Sequence, residues 1–403
     1  MILTKEQWKI AITVLIMGSF ISMDKNMISM TVLALGDQFH WLPNQTGMIL
    51  SVYYIGFTLI TIPGGWLVDR FGYRKFILSS LFVLILFTIF FSFSSSLLAL
   101  AMMRMGVGLG HASYTTGSPK IISTNFDGEQ HASIQSKVLA TAGVGGVFAF
   151  TIGTQLININ WRVAYWLITV FYIALWLMMF IFVKEKEQSL KRTKSKKSVS
   201  LFDAWKEKNV LYIALGMLFT NLVATGVISW LPSVLKANFH MMDNTKIGYL
   251  LTSNSILMAV ATMAAGILIN KYFKQKEKTF ITLSSLAAAA CLIGFIYSTH
   301  FVITVLLLYA ISVLLMFAFT AYMVLPYRLV SNQIIGSSFS VINIGAFMGG
   351  IIAPIIIGNL VTESGGSFVT AYIAMSICLV AASIVPFCIN LKQTVNSLAE
   401  SYK

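Results

Sequence analysis

The sequence predicts an all-α membrane protein of twelve transmembrane helices, arranged as two six-helix halves. Three observations predict it: an apolar composition, twelve apolar runs of spanning length, and a faint internal repeat at a 200-residue offset. The chain has 403 residues, of which 57% are hydrophobic and 10% charged, against about 25% charged in ordinary soluble domains. A water-soluble chain with so few charges cannot cover its own surface, whereas a bilayer needs no such cover.

Breaking the sequence at charged residues and at Gly, Asn and Pro leaves apolar runs near 9–35, 47–66, 76–95, 97–120, 138–157, 163–183, 209–235, 246–270, 279–298, 301–325, 337–361 and 369–390. Crossing the hydrocarbon takes about 20 apolar residues as a helix. Barrel strands are half as long and alternate in polarity, so the runs are helices. The first run is too long for a signal-peptide core and lacks a small-residue cleavage site, so it reads as the first span.

Orientation follows from the basic residues. With both termini cytoplasmic, 23 of the 28 Lys and Arg lie on the cytoplasmic side, only Arg162, Lys236 and Lys246 lie outside, and Lys25 and Arg104 fall within spans. That bias is a positive-inside signal. It accounts for the net charge of +14 without a nucleic-acid partner, and the expected location is the plasma (inner) membrane.

The longest polar stretch, 184–208, divides an N-terminal half, 1–183, from a C-terminal half, 209–403. Its core, SLKRTKSKKSVS, has the composition of a flexible tether on an anionic leaflet, and LFDAWKEK after it reads as a short interfacial helix. The halves repeat: QFHWLPNQTG from Gln38 returns as NFHMMDNTKIG from Asn238, and GWLVDRFGYRK from Gly65 returns as GILINKYFKQK from Gly266. Two matches at nearly one offset, in corresponding places, indicate a duplicated unit.

Ionisable groups inside spans are costly and therefore informative. Asp24 and Lys25 sit mid-way along the first span; Arg104 and His111 sit on the fourth. A separation of seven puts Arg104 and His111 on one helix face, about 10 Å apart along the axis. With His111 neutral these groups carry one surplus positive charge, which favours a monoanion near Lys25 and Arg104. The alternative is a structural Asp24–Arg104 pair. Histidine titrates near neutrality, so Asp24 or His111 is the expected proton carrier; His111 bonded within the bundle is the plainer reading. Asn26, Tyr53, Tyr54, Gln155, Asn221, Trp230, Asn254 and Asn343 are polar or aromatic candidates for the cavity wall. Among them Asn26, Tyr54, Trp230 and Asn343 are expected to touch substrate.

Gly64 to Lys75, GGWLVDRFGYRK, closes the second span with a tight cytoplasmic turn at Gly72. Gly65 is expected to allow close helix approach. Asp69, Arg70 and Arg74 are expected to make charge-assisted bonds that latch the cytoplasmic side; the plainer reading is a positive-inside turn.

This segment resembles the signature loop of the major facilitator superfamily, and the twelve spans, basic central loop and degenerate second copy agree with that family over essentially the whole chain. Met23-Asp24-Lys25, Ile62-Pro63-Gly64-Gly65 and the run NIGAFMGGIIAPIIIG from Asn343 resemble the anion:cation symporter branch, while GVGLGHASYTTGSPKIIS from Gly106 also resembles spinster-like transporters. The resemblance implies a secondary transporter moving a small organic anion by proton symport, with the substrate near the residue matching Lys25. That branch usually has Arg at Lys25, Glu at His111, Tyr at Phe57 and Gln at Thr61. These departures leave an apolar pocket and a point charge instead of a guanidinium fork.

The alternatives are a proton-coupled exporter of an amphipathic metabolite, lipid or drug, and a sensor that binds without moving its ligand. No phosphate-binding loop or hydrolytic triad marks an enzyme. Cys291, Cys378 and Cys388 lie in apolar runs and suggest neither disulfide nor metal. No cofactor is expected beyond the coupling ion, a proton with sodium left open. A monomer in the lipid bilayer, with a small-molecule substrate as its partner, completes the expectation.

Overall fold

The computed structural model describes residues 3–185, 201–239, 243–330 and 335–389, and the regular structure among them is helical. The basic core of the central loop, 189–200, lies outside the described residues. In chain order the helices are α1 (Lys5–Phe39), α2 (Pro43–Phe71), α3 (Tyr73–Phe93), α4 (Leu97–Asn125), α5 (Gly128–Phe148), a π-helical turn (Ala149–Gly153) and α6 (Thr154–Phe182). After the linker come α7 (Leu201–Lys206), α8 (Lys208–Asn238), α9 (Asn244–Lys271), α10 (Glu277–Tyr297), α11 (Phe301–Val324), α12 (Pro326–Leu329), α13 (Ile335–Glu363) and α14 (Val369–Cys388).

Local chemistry sets the ends. Thr4 and Gln7 form a reciprocal capping box on α1. Pro43 occupies the first position of α2, where its missing N–H costs nothing. The Ser96 hydroxyl accepts from Ala99 N at 3.3 Å to start α4. Gly72, at φ 85°, supplies the left-handed turn between α2 and α3. The last carbonyls of α3 are met by Arg162, whose Nε donates to Ser92 O at 3.1 Å while its plane covers Trp161.

Among the described residues, ten helical stretches are long and apolar enough to cross a membrane. The fifth and sixth runs of the sequence fall on one of them, Ser133–Phe182, although the backbone leaves the helix at Asn160 (φ −167°, ψ 123°). The fourth run forms α4, 29 residues long but too rich in polar residues and glycine to rank with the ten.

The chain divides into two compact units, Met1–Lys197 with Met241–Ile256, and Ser198–His240 with Leu257–Lys403. The start of α9 thus groups with the first unit, unlike the halves drawn from sequence. The contacts explain it: Asn158 Nδ2 donates to Thr245 Oγ1 at 3.1 Å, and a Cβ on Gly248 would lie 2.5 Å from Phe150 O.

Within the first unit, α2 and α4 touch through backbone. A Cβ added to Gly56 would lie 2.0 Å from Met105 O, and one added to Gly108 would lie 2.1 Å from Tyr53 O. Only glycine permits such approach, and small residues serve this purpose in membrane helices. In the second unit, Cβ atoms added to Gly345 and Gly349 of α13 would lie 2.2 Å from Ala214 O and 2.5 Å from Leu218 O of α8. The NIGAFMGGIIAPIIIG run is therefore, in part, a packing seam.

Candidate functional site: a polar cluster inside the first unit

Successive residues on a helix point 100° apart, so Asp24 and Lys25 face different surroundings. Asp24 is fully buried and Lys25 is exposed. The close α2–α4 seam carries Tyr53 to His111, and α6 brings Tyr172 to the same place.

Asp24 is the hub. Arg104 Nη1 donates to its Oδ1 at 2.7 Å, and Arg104 Nη2 donates to its backbone oxygen at 3.3 Å. The Tyr172 hydroxyl donates to Oδ2 at 3.2 Å, and His111 Nε2 lies 3.4 Å from the same oxygen. His111 is held at both nitrogens, with Nε2 2.8 Å from the Tyr172 oxygen and Nδ1 3.1 Å from the Tyr53 oxygen. The Arg104 guanidinium lies 4.9 Å from the centre of the Tyr53 ring, within cation–π range. Asp24, Arg104 and His111 all have 0% exposure. Ions so buried persist only when paired and hydrogen-bonded; Asp24 and Arg104 are paired, and of the guanidinium only Nε lacks a partner among the described residues.

The sequence left Arg104 open between a substrate contact and a structural pair with Asp24. In the structure it is buried and paired with Asp24, because the seven-residue spacing aims Arg104 and His111 at one carboxylate. Lys25 is placed apart, its Nζ 5.5 Å from the centre of the half-buried Tyr54 ring. Among the described residues it has no carboxylate partner. Asn26 is half-buried and donates to Ser22 O at 2.7 Å. Trp230 and Asn343 belong to the second unit. Trp230 is 2% exposed and packs on Phe368 at 5.8 Å, its Nε1 without a partner among the described residues; Asn343 is half-buried on α13.

The Gly64–Lys75 motif is built differently from its expectation at one position. A Cβ on Gly65 would meet nothing within 4 Å, while one on Gly64 would lie 2.7 Å from Thr116 Cγ2. The close approach falls on Gly64, because that residue faces α4. Lys120 Nζ donates to Asp69 Oδ1 at 2.7 Å, joining α4 to α2. Arg70 lies on the Trp66 and Phe71 rings. Arg74 Nη2 donates to Phe180 O at 2.7 Å and its backbone N to Glu185 Oε2 at 2.8 Å, tying the Gly72 turn to the end of α6.

Sequence reasoning missed Tyr172 altogether and treated Tyr53 only as a cavity candidate. Nothing marks a tyrosine in a span, since tyrosine is common there. It also passed over Glu277, 3% exposed and ion-paired with Arg328 in the second unit, because the repeat points to Asn270 at the Asp69 position. A carboxylate seven residues further along does that work.

A family model described as Major Facilitator Superfamily matches residues 14–354. The hexuronate transporter of Bacillus subtilis is 22% identical over 395 residues, covering 91% of this chain and 92% of the relative. The cis,cis-muconate transport protein of Acinetobacter baylyi is 22% identical over 394 residues, covering 94% and 93%. In fold, the chain is similar to a bacterial homolog of the human lysosomal transporter Spinster in its inward-facing and occupied conformation, with a TM-score of 0.82 at 16% identity over 97% of this chain and 98% of that one. With its spans, its motif and a family model matched over most of its length, the chain belongs to the Major Facilitator Superfamily of transporters.

Proposed function

We propose that this protein moves a small organic anion, a carboxylate or sugar acid, together with a proton by alternating access. The observation that carries the reading is the isolation of Lys25. Asp24 and Arg104 cancel each other at 2.7 Å. Among the described residues, that leaves Lys25 as the fixed charge without a counter-ion near the middle of a first-unit span, away from the helix ends. A charge at that depth faces a water-filled cavity and not lipid tails. It offers three donors to a carboxylate, with the Tyr54 face beside it and Asn26 next in sequence. Relatives named for hexuronate and cis,cis-muconate, both carboxylates, support the substrate class.

In this reading α4 and the segments on either side of Asn160 each cross the bilayer, giving twelve spans in two halves, 1–183 and 209–403, joined by 184–208. Both termini are cytoplasmic, the plasma membrane is the site of action, and the monomer is the working unit. The proton binds within the Asp24–His111 pair. The Asp69–Lys120 and Arg74–Glu185 contacts hold the cytoplasmic ends of the first half in register as it rocks.

Counterflow in proteoliposomes tests this. Purified protein is expected to exchange labelled hexuronate, and inward transport is expected to make the medium more alkaline. Exchange of neutral amphiphiles with no exchange of carboxylates would overturn the substrate class. Specific binding without any counterflow would make the protein a sensor.

A further inference from the structure

Four of the buried groups form an unbroken line, Tyr53–His111–Tyr172–Asp24, and the chemistry of its members fixes the direction of every bond. Asp24 faces Arg104 at 2.7 Å as a carboxylate and can only accept. The one hydroxyl hydrogen of Tyr172 goes to Asp24 Oδ2 at 3.2 Å, so the 2.8 Å contact with His111 must be a donation from Nε2. Neutral imidazole carries one N–H. Nδ1 is then the acceptor, and the Tyr53 hydroxyl donates to it at 3.1 Å. The unloaded line runs one way, from Tyr53 to Asp24.

We infer that this line is a proton wire whose polarity reverses on loading, with Tyr53 as its entry and Tyr172 as the relay that couples His111 to Asp24. The inference deepens the proton-coupled reading above and rests on it. The step conserves protons. The Tyr53 O–H bond breaks as His111 Nδ1–H forms, Nε2–H breaks as a new Tyr172 O–H forms, and the original Tyr172 hydrogen passes to Asp24 Oδ2. A hydrated proton from the aqueous side replaces the hydrogen that Tyr53 lost and leaves neutral water, so one proton is taken up and nothing is oxidised or reduced.

Afterwards each bond points back: Asp24 donates to Tyr172, Tyr172 to Nε2, and Nδ1 to Tyr53. His111 changes tautomer without becoming charged. Neutral Asp24 no longer offsets Arg104, so loading raises the positive charge of the unit by one and favours the anion. Tyr53 is the sensible entry, since its ring meets Tyr54 at 5.2 Å and Tyr54 meets the exposed Lys25.

The surroundings contain few competitors. The titratable and charged groups around the line are Asp24 and Lys25 on α1, Tyr53 and Tyr54 on α2, Arg104 on α4, and Tyr165 and Tyr172 on α6. Tyr165 turns to Thr31 Oγ1 at 3.3 Å. Beside His111, α3 presents Leu84 and Phe87 to the glycines of α4, and the α5 contact of α4 is Thr141 on Tyr114.

The test is ¹⁵N-histidine NMR of the full chain in bilayers, with the His111 signal assigned by its loss in H111Q and the other four histidines as internal controls. The expected result is an Nε2–H tautomer at alkaline pH and a neutral Nδ1–H tautomer after acidification. Y172F and Y53F each cut the line, so His111 in either should keep Nε2–H at both pH values. Y172F should also lose about a hundredfold in proton-driven uptake, as for a positioned proton-transfer group. An imidazolium at acid pH, an unchanged tautomer in the wild type, or a Y172F protein that switches like the wild type would each overturn the wire. A normal tautomer switch with uptake indifferent to the pH gradient would instead leave the wire standing and sink the proton-coupled reading.

Discussion

The first unit buries a carboxylate, a guanidinium and an imidazole within one hydrogen-bonded cluster, each with a named partner. The second unit has no Asp, Glu, Lys or Arg in 209–235, 257–270, 279–299, 301–324, 335–362 or 369–388. Its ion pair, Glu277 with Arg328, sits at helix ends, Glu277 opening α10 and Arg328 in the short α12. Its interior polarity is neutral: Trp230 Nε1, Asn221 Nδ2 and the Tyr372 hydroxyl are buried donors without partners among the described residues. Under the proposed function the difference would separate two tasks. The buried ionisable cluster of the first unit would serve the proton, and the neutral buried donors of the second would suit hydroxyl groups.

The contrast breaks first at the buried pair. D24N or R104Q leaves an uncompensated buried charge or an unmet donor set, and each should destabilise the protein by about 3–5 kcal/mol. The D24N/R104Q double variant should recover part of that loss. Unfolding midpoints in detergent check it; full additivity of the singles would mean that the pair contributes no coupling. Next comes the seam that delivers Tyr53 to His111. Gly56→Leu or Gly108→Leu drives a side chain into the facing helix, whose carbonyl oxygen would lie 2.0–2.1 Å from the new Cβ. A cost of about 3 kcal/mol, the upper part of the overpacking range, should come with loss of proton-driven uptake.

In the second unit the effects shrink. E277Q removes a partner from Arg328, which is 30% exposed, so the cost should be about 1 kcal/mol by the same unfolding assay. W230F is the smallest perturbation. It keeps an aromatic ring and deletes an N–H with no partner among the described residues, so stability should stay within about 0.5 kcal/mol. Hexuronate affinity is where W230F should register. A large loss of stability would show that the Nε1–H is already satisfied, and would weaken the division of tasks.

Much of the first unit was legible because charge is conspicuous in an apolar sequence. Asp24, Lys25, Arg104 and His111 stand out for their rarity, and a spacing of seven put the last two on one face. What hydropathy could not supply was helix rotation, and so which of the two neighbours, Asp24 or Lys25, turns inward. That choice decides which positive charge meets the Asp24 carboxylate, and the structure gives Arg104 that partner, the second of the two readings the sequence offered. Tyr172 was illegible because its role exists only where α1, α4 and α6 meet. The slip from Gly65 to Gly64 has the same origin, one residue of helical phase. Most of the runs were legible because length and composition decide them: ten helical stretches among the described residues are long and apolar enough to span. The fourth run forms a helix outside those ten, and the fifth and sixth fall on one stretch whose backbone leaves the helix at Asn160.

The central claim is that Lys25 carries the charge that meets the substrate while Asp24 and Arg104 attend to each other. Titration of a hexuronate onto purified wild type and K25M tests it most directly. Removing a charged hydrogen-bond donor should cost about 1.5–3 kcal/mol, a loss of about 10- to 150-fold in affinity. The unfolding midpoint should hold, because Lys25 is exposed and packs little. If K25M folds normally and binds the hexuronate as tightly as the wild type, the anion is held elsewhere.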